Sequence, residues 1–370
     1  MIKSKERKAD YVLLTYFAIL LFFGLLMLTS ASAPMGYGKF GDKYFFIKRQ
    51  IIVGVIPGLA AFFLFSKIKF EELRRYSLTI FVFSLLLNLL VFVPGIGFDL
   101  GTGAKSWIVI GSNSFQPAEF LKLSMIIFLA SYLSQKGKEL LNFKSGFLPA
   151  LTIGLIPVVL VVLQPDIGTA SILFGILFGL LFVAGANIWH MFALIGAGIL
   201  GFILMIIKAR YRFNRLMTFL HPELDPLGVG YHINQAFLAI GNGGLLGMGL
   251  GHSLRKYEFL PEVNADSIFA IIAEEMGFVI TGAFIILLLL ICYRGFKISK
   301  NSPNSFARLL VAGIIIWFTI QSFMNIGAMI GLMPLTGLPL PFVSHGGTAL
   351  FVAMASVGIL INVSKYTEHL

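Results

Sequence analysis

Four acidic side chains lie in one short segment, PEVNADSIFAIIAEE (261–275), which leads into a long apolar run. They are Glu262, Asp266, Glu274 and Glu275. A positioned carboxylate can act as a general base, and partial burial makes it a stronger one. The last two follow Asp266 by eight and nine residues, which on a helix places them about 12–13 Å further along the axis. Because neighbouring helical side chains diverge by about 100°, we expect these two to face different partners.

A second charged pair, Glu119 and Lys122, occurs in QPAEFLKLS at the start of another apolar run. A charge in the middle of a bilayer costs about 2.5–3.5 kcal/mol on insertion scales, so each such residue is a functional candidate. Residues three apart share one helix face and can form an ion pair. The pair is therefore either a structural contact in the bundle or part of a substrate site.

A further carboxylate, Asp166, lies in QPDIGTA between two apolar runs. If a helix starts at Ile167, the Asp166 side chain can cap its first turn. Helix capping and substrate binding both remain open for this residue.

Arginines cluster on what we expect to be the outer side of the membrane. Arg49 precedes the second apolar run, and Arg210, Arg212 and Arg215 follow the seventh. A guanidinium group matches the geometry of phosphate, so this cluster is a candidate anion site. The alternative is that these side chains only reach from the bilayer edge to the headgroups.

The elements that must position these residues are membrane helices. The chain has 370 residues, of which 58% are hydrophobic and 12% charged, about half of the roughly 25% charged in soluble domains. Its apolar blocks are long enough to cross about 30 Å of hydrocarbon. We predict a single all-α polytopic membrane domain, residues 1–370, with about ten spans near 11–33, 50–66, 76–95, 116–134, 147–164, 168–186, 188–207, 266–293, 309–331 and 346–364.

Charge distribution sets the expected topology. Lys and Arg are concentrated at both termini and in alternate loops, which predicts cytoplasmic termini. Segments 96–115, 208–265 and 332–345 then lie outside, and the long loop 208–265 contains YHINQAFLAIG (231–241), a pattern typical of a short amphipathic interfacial helix. The net charge of +11 indicates lipid headgroups rather than nucleic acid as the partner. We see no metal-ligand cluster and expect no cofactor, although a divalent cation could bridge bound phosphate groups.

Five segments in order resemble the SEDS family, which comprises FtsW, RodA and SpoVE. They cover most of the chain: GAKSWIVIGSNSFQPAEFLKLS (103–124), QPDIGTA (164–170), NRLMTFLHPELDPLGVGYHINQAFLAIGNGGLLGMGLGHS (214–253), FLPEVNADSIFAIIAEEMGF (259–278) and TGLPLPFVSHGG (336–347).

The resemblance implies a ten-span glycosyltransferase of the bacterial cytoplasmic membrane that polymerises lipid II and works with a class B penicillin-binding protein, and we expect other division proteins as partners. It matches Asp266 to the essential loop carboxylate of the family, which we interpret as the catalytic base. The candidate substrate-binding residues are Arg49, Glu119, Lys122, Asp166, Arg210, Arg212, Arg215, Glu275 and Ser344.

This chain departs from the usual family pattern at three positions. Ala265 and Ser267 flank Asp266 where Thr and Phe are common, and His345 replaces a common Tyr. None of these changes removes a charge, so we expect activity to be retained. The short GLGHSLRKYEFLPE (249–262) favours the division branch, FtsW, over the elongation branch, RodA, whereas DPLGVGYHI is more like RodA.

Two other function classes fit part of the pattern. A lipid II flippase would also use many spans and intramembrane charges, but the long loop, the arginines and Asp266 all fall on one side. A scaffold that recruits a cross-linking partner would not need Asp266. A gel of polymerisation products separates the polymerase from the flippase, and replacement of Asp266 separates it from the scaffold.

Overall fold

The computed structural model describes residues 7–99, 104–111, 113–207, 217–221 and 228–367, and these form a predominantly helical bundle. Its helices are α1 Tyr11–Phe40, α2 Phe45–Lys67, α3 Phe70–Arg75, α4 Ser77–Phe92, α5 Pro117–Lys136, α6 Phe143–Val162, α7 Ile167–Val183, α8 Ile188–Ile207, α9 Val229–Gly243, α10 Ile268–Lys300, α11 Ser305–Met329 and α12 Gly347–Ser364.

The predicted helical membrane fold is confirmed. Within the described ranges, seven helices are long and apolar enough to cross a membrane, and three other apolar helices (α4, α7 and α8) occupy the remaining predicted spans. Burial differs among them: α5 and α12 bury 78% of their apolar window, whereas α10 buries 22%. Polar side chains on α5 can therefore be surrounded by protein, while the apolar window of α10 is largely on the surface of the bundle.

The two described ends of the chain meet at one end of the bundle. The Arg7 amide donates to the carbonyl of Lys365 at 2.8 Å. Asp10 caps α1 by accepting from the Leu13 amide at 3.0 Å and also accepts from Arg294 Nε at 2.7 Å. The start of α1 and the ends of α10 and α12 thus lie together, as an even number of spans requires.

A small antiparallel sheet, which the sequence analysis did not predict, precedes α5. Its strands are β1 Gly97–Phe98, β2 Trp107–Ile110 and β3 Asn113–Phe115, paired in chain order. The turn between β2 and β3 contains Gly111 at φ 62°, a conformation that favours glycine. Strands this short show too little alternation of apolar and polar residues to be identified from one sequence.

The helix α10 is interrupted at Gly277, where φ is 69°. In a straight helix Phe278 and Val279 would donate to the carbonyls of Glu274 and Glu275. Here they donate instead to Gly244 and Leu245, at 2.8 and 3.2 Å. The interruption therefore leaves two α10 carbonyls that must find other donors inside the protein.

The glycine-rich loop 244–249 supplies those donors. The Met248 and Gly249 amides bond the Glu274 and Glu275 carbonyls at 3.0 and 2.9 Å. Four backbone hydrogen bonds therefore join the loop to the interrupted helix. In a membrane protein this matters because water is not there to satisfy free backbone groups.

We expect Gly277→Ala to destabilise this junction by about 1–3 kcal/mol, because it forces a β-carbon into a left-handed conformation. That β-carbon would lie 2.2 Å from the Gly247 amide nitrogen. Thermal unfolding in detergent, followed by size-exclusion chromatography, measures the effect. Gly282→Ala in the same helix is the matched control, because a β-carbon there meets nothing within 4 Å. Equal midpoints for the two variants would contradict the interpretation.

Candidate active site

Asp266 lies at the end of a tight turn, 261–267, immediately before α10, as the sequence predicted, and is 8% exposed. The three successive carbonyls of residues 264–266 are each bonded by a group distant in sequence. Their donors are the His345 amide at 2.7 Å, the Ser344 hydroxyl, and Asn325 Nδ2 at 2.7 Å. The backbone that carries the carboxylate is thus held by α11 and by the loop before α12.

Ser344 is the centre of that loop contact. Its hydroxyl donates to the Ala265 carbonyl and accepts from the Leu340 amide at 2.8 Å. The buried amide of Gln50 brackets the same loop: its Nε2 donates to the Ser344 carbonyl at 3.3 Å, and its Oε1 accepts from the Gly346 amide at 2.9 Å. The contacts of Ser344 shown here are to the protein backbone, and its role in substrate binding stays a prediction.

Arg49 precedes Gln50 and the π-helical turn Gln50–Val55 of α2. Burial, and then the nearby positive charge of Arg49, lower the pKa of His345 to about 4. His345 is therefore neutral at pH 7, and Arg49 lies in the same part of the molecule as the loop that holds the turn of Asp266.

The predicted pairing of Glu119 with Lys122 is confirmed, with Nζ and Oε1 2.8 Å apart and exposures of 3% and 1%. Lys122 Nζ also donates to Gln321 Oε1 at 2.9 Å and lies 4.8 Å from the centre of the Trp317 ring. Gln321 Nε2 donates to the Pro339 carbonyl at 2.8 Å. These hydrogen bonds offset part of the cost of burying the two charges of the Glu119–Lys122 pair.

A crevice connects this ion pair with the loop before α12, whose Ser344 bonds the backbone beside Asp266. Its volume is about 10 Å³, and its lining includes Glu119, Gln321, Leu340 and Ser344, so it can hold about one water molecule. Glu119 Oε2 has no hydrogen-bond partner among the residues that the structure describes. The Glu119–Lys122 pair thus lies next to the loop before α12 that bonds the backbone of Asp266.

The predicted capping role of Asp166 is confirmed: its side chain accepts from the Thr169 amide at 3.0 Å, and α7 begins at Ile167. The start of α7 packs closely on the chain leading to Ser344, since a β-carbon on Gly168 would lie 2.7 Å from the Thr336 carbonyl oxygen. The substrate-binding role of Asp166 stays a prediction.

The expectation that Glu274 and Glu275 face different partners is wrong in one respect, because both bind Ser253. The Ser253 hydroxyl donates to Glu274 and its amide to Glu275 Oε1 at 3.3 Å. Glu275 also pairs with Lys256 Nζ at 2.7 Å and accepts from the Ser30 hydroxyl at 2.7–2.8 Å. The turn that contains Ser253 folds back on α10, so that the hydroxyl of Ser253 reaches Glu274 and its amide reaches Glu275. Helix geometry alone does not predict this shared partner.

Part of the predicted anion site lies outside the described residues, namely Arg210, Arg212 and Arg215. Within the ranges that the structure covers, no group of three or more His, Cys, Asp or Glu could hold a metal ion. The divalent cation that could bridge diphosphates stays a prediction.

Four residues near the site were not singled out from the sequence as site residues. Trp317, Gln321 and Asn325 are spaced by four along α11 and so share one face. Polar residues at that spacing in an apolar span are the signal that could have found them. His232 on α9 contacts Ser267 beside Asp266, with Nε2 and Oγ 2.6 Å apart.

Known proteins resemble this chain over nearly its full length. It is 41% identical to "Stage V sporulation protein E" of Bacillus subtilis (strain 168), a match covering 99% of this chain and 100% of the relative. It is 38% identical to "Probable peptidoglycan glycosyltransferase FtsW" of Pasteurella multocida (strain Pm70), covering 96% and 90%. The predicted preference for FtsW over RodA is not decided by these names and stays a prediction.

Solved structures share the fold. A chain of a peptidoglycan synthase complex superposes with a TM-score of 0.79 at 26% identity, covering 96% of this chain and 97% of that one. The rod shape determining protein RodA of Thermus thermophilus gives 0.72 at 25% identity, covering 98% of each chain. The sequence model described as "Cell cycle protein" matches residues 11–369. The chain therefore belongs to the FtsW/RodA/SpoVE family of membrane proteins.

Proposed function

We propose that this chain is a peptidoglycan glycosyltransferase that joins lipid II units into glycan strands at the outer face of the cytoplasmic membrane during cell division. The observation that carries the proposal is Asp266, a nearly buried carboxylate on a backbone bonded at three successive carbonyls. The glycosyltransferase name of its FtsW relatives supports the activity.

In the proposed reaction, a sugar hydroxyl of one lipid-linked unit attacks the anomeric carbon of the other. Asp266 removes the hydroxyl proton as the new carbon–oxygen bond forms, and the bond to undecaprenyl diphosphate breaks, with its electron pair leaving on the diphosphate. The proton then passes from Asp266 to solvent. A single base fits direct displacement with inversion, since no covalent intermediate is required.

The surroundings of Asp266 suit that task in two ways. Its low exposure removes part of the hydration of the carboxylate, so a sugar hydroxyl would meet a partly desolvated base. Its backbone is held by α11 and by the loop that carries Ser344, so the carboxylate needs little further ordering when the substrate reacts. Both properties depend on residues far from Asp266 in the sequence.

We assign the leaving diphosphate to cations on the same side. Arg49, close to His345, is the first candidate among the described residues, and Arg210, Arg212 and Arg215 complete the predicted cluster. Lys122 is a second candidate, because its ion pair borders the crevice that reaches Ser344. A guanidinium or ammonium group offsets the charge that develops on the departing oxygen.

An apolar groove between α7 and α8 is a candidate place for the polyprenyl tails. Its volume is about 340 Å³, and its lining is apolar throughout: Phe174, Gly175, Phe178, Ile195, Gly198 and Ile199. The similar solved chain belongs to a peptidoglycan synthase complex that coordinates polymerisation and crosslinking, which supports a class B penicillin-binding protein as the partner. We propose cytoplasmic termini, because both described ends lie together and the Lys and Arg bias favours that side.

Replacing the proposed base tests the activity directly. Asp266→Asn keeps the size of the side chain but cannot take up the proton, so we expect polymer formation to fall by at least about 100-fold. The readout is glycan polymer made from lipid II by purified protein with its cross-linking partner, resolved on a gel. Glu139→Gln, at an exposed ion pair, is the control and should match the wild type.

Polymer formation near the wild-type rate by folded Asp266→Asn would overturn the assignment. A wild-type protein that moves lipid II across vesicle membranes without forming polymer would identify a flippase instead.

Two variants separate the structural and substrate roles of Lys122. Lys122→Met alone leaves Glu119 buried without its cation, which costs about 3–5 kcal/mol. Glu119→Gln/Lys122→Met removes both charges and should recover most of the unfolding midpoint, while its KM for lipid II stays raised. Lys136→Met, at the exposed pair Lys136–Glu139, should leave the midpoint unchanged. A double variant with wild-type KM would limit Lys122 to a structural role.

A further inference from the structure

We propose that His232 and Ser267 form a hydrogen-bonded pair that positions the Asp266 carboxylate, with α9 contributing His232 as a positioning residue. The inference rests on the proposed function of Asp266 as base. It assigns to α9, which the sequence predicted only as an interfacial helix, a part in the active site.

The contacts converge on the fully buried Ser267 hydroxyl. Its oxygen lies 2.6 Å from His232 Nε2, 2.8 Å from the Pro261 carbonyl oxygen and 3.5 Å from Asp266 Oδ1. The His232 contact joins α9 to the first residue after the proposed base. The Pro261 contact closes the turn that carries that base.

The bond to Pro261 sets the direction of the His232 bond. A serine hydroxyl has one proton, and the Pro261 carbonyl can only accept. When Ser267 donates to Pro261, its oxygen is the acceptor for His232, so the proton of that bond is on Nε2. The His232 bond then holds the Ser267 oxygen in place whichever way the hydroxyl proton points.

When Nε2 of His232 carries its proton, the hydroxyl proton has two acceptors within reach, the Pro261 carbonyl oxygen and Asp266 Oδ1. Directed at Asp266, it stabilises the ionised carboxylate before proton transfer and fixes its orientation. Directed at Pro261, it leaves that oxygen of Asp266 to take the substrate proton. A family-typical Phe at position 267 could do neither, so the device depends on the Ser that this chain has there.

A second contact of α9 provides a matched control. Gln235, one turn after His232, accepts from Arg255 Nη1 at 2.8 Å through its side-chain oxygen. This bond also holds α9 against the rest of the protein, but Arg255 lies outside the turn 261–267. Gln235→Ala therefore weakens the docking of α9 and leaves the His232–Ser267 pair in place.

The test measures kcat and KM for lipid II polymerisation in His232→Ala, Ser267→Ala and the double variant. We expect kcat to fall about tenfold in each single variant, as for the loss of one buried hydrogen bond, with KM unchanged. The double variant should be no slower than either single variant, because both act through one contact. His232→Gln, which retains a donor in place of Nε2, should recover kcat to within about threefold.

Four results would overturn the proposal: wild-type kcat in folded His232→Ala, multiplicative losses in the double variant, failure of His232→Gln to rescue folded protein, or the same fall in kcat in Gln235→Ala. Unfolding midpoints for all variants identify any variant that does not fold. If His232→Ala does not fold, Ser267→Ala tests the same contact. Asp266→Asn in the same assay separates the two proposals. If Asp266→Asn still forms polymer, the assignment of Asp266 as the base is wrong. If Asp266→Asn is inactive but His232→Ala has wild-type kcat, only the positioning role of His232 is wrong.

Discussion

The structure depends on satisfying backbone polar groups where a polar turn enters a helix bundle. The turn 261–267 has to present a carboxylate at the start of α10, and its carbonyls cannot all be bonded within so short a segment. Asn325 on α11 and the loop that carries Ser344 and His345 supply the donors. Because an unpaired buried carbonyl is costly, the same bonds that stabilise the turn also fix the position of Asp266.

The same constraint explains the interruption of α10 at Gly277. The loop 244–249 bonds the carbonyls that the interruption leaves, and the turn after it bonds the side chains of Glu274 and Glu275. The segment 244–253 is thereby attached to α10 through both backbone and side chains. The buried acids that first look like intramembrane functional groups also serve as anchors for the loop that leads to Asp266.

Much of the fold could be predicted from the sequence, because apolar length and charge distribution act locally. The ten predicted spans coincide with apolar helices of the described chain, and the pairing of Glu119 with Lys122 follows from their helical spacing. The capping role of Asp166 follows from its place before a helix start. The sheet before α5 and the partner of Glu275 could not be predicted, since each depends on which distant segments meet.

Sequence alone determined the class of this protein, its membrane helices and the residue types available for chemistry, since hydrophobic length and motif order are properties of the chain itself. Tertiary structure decided what each charged or polar group contacts. It placed Asn325 and Ser344 on the backbone of Asp266, Lys256 on Glu275, and His232 on Ser267. The physical reason is that a hydrogen bond or ion pair requires contact within about 3 Å, and only the packing of the bundle brings residues tens to hundreds of positions apart to that distance.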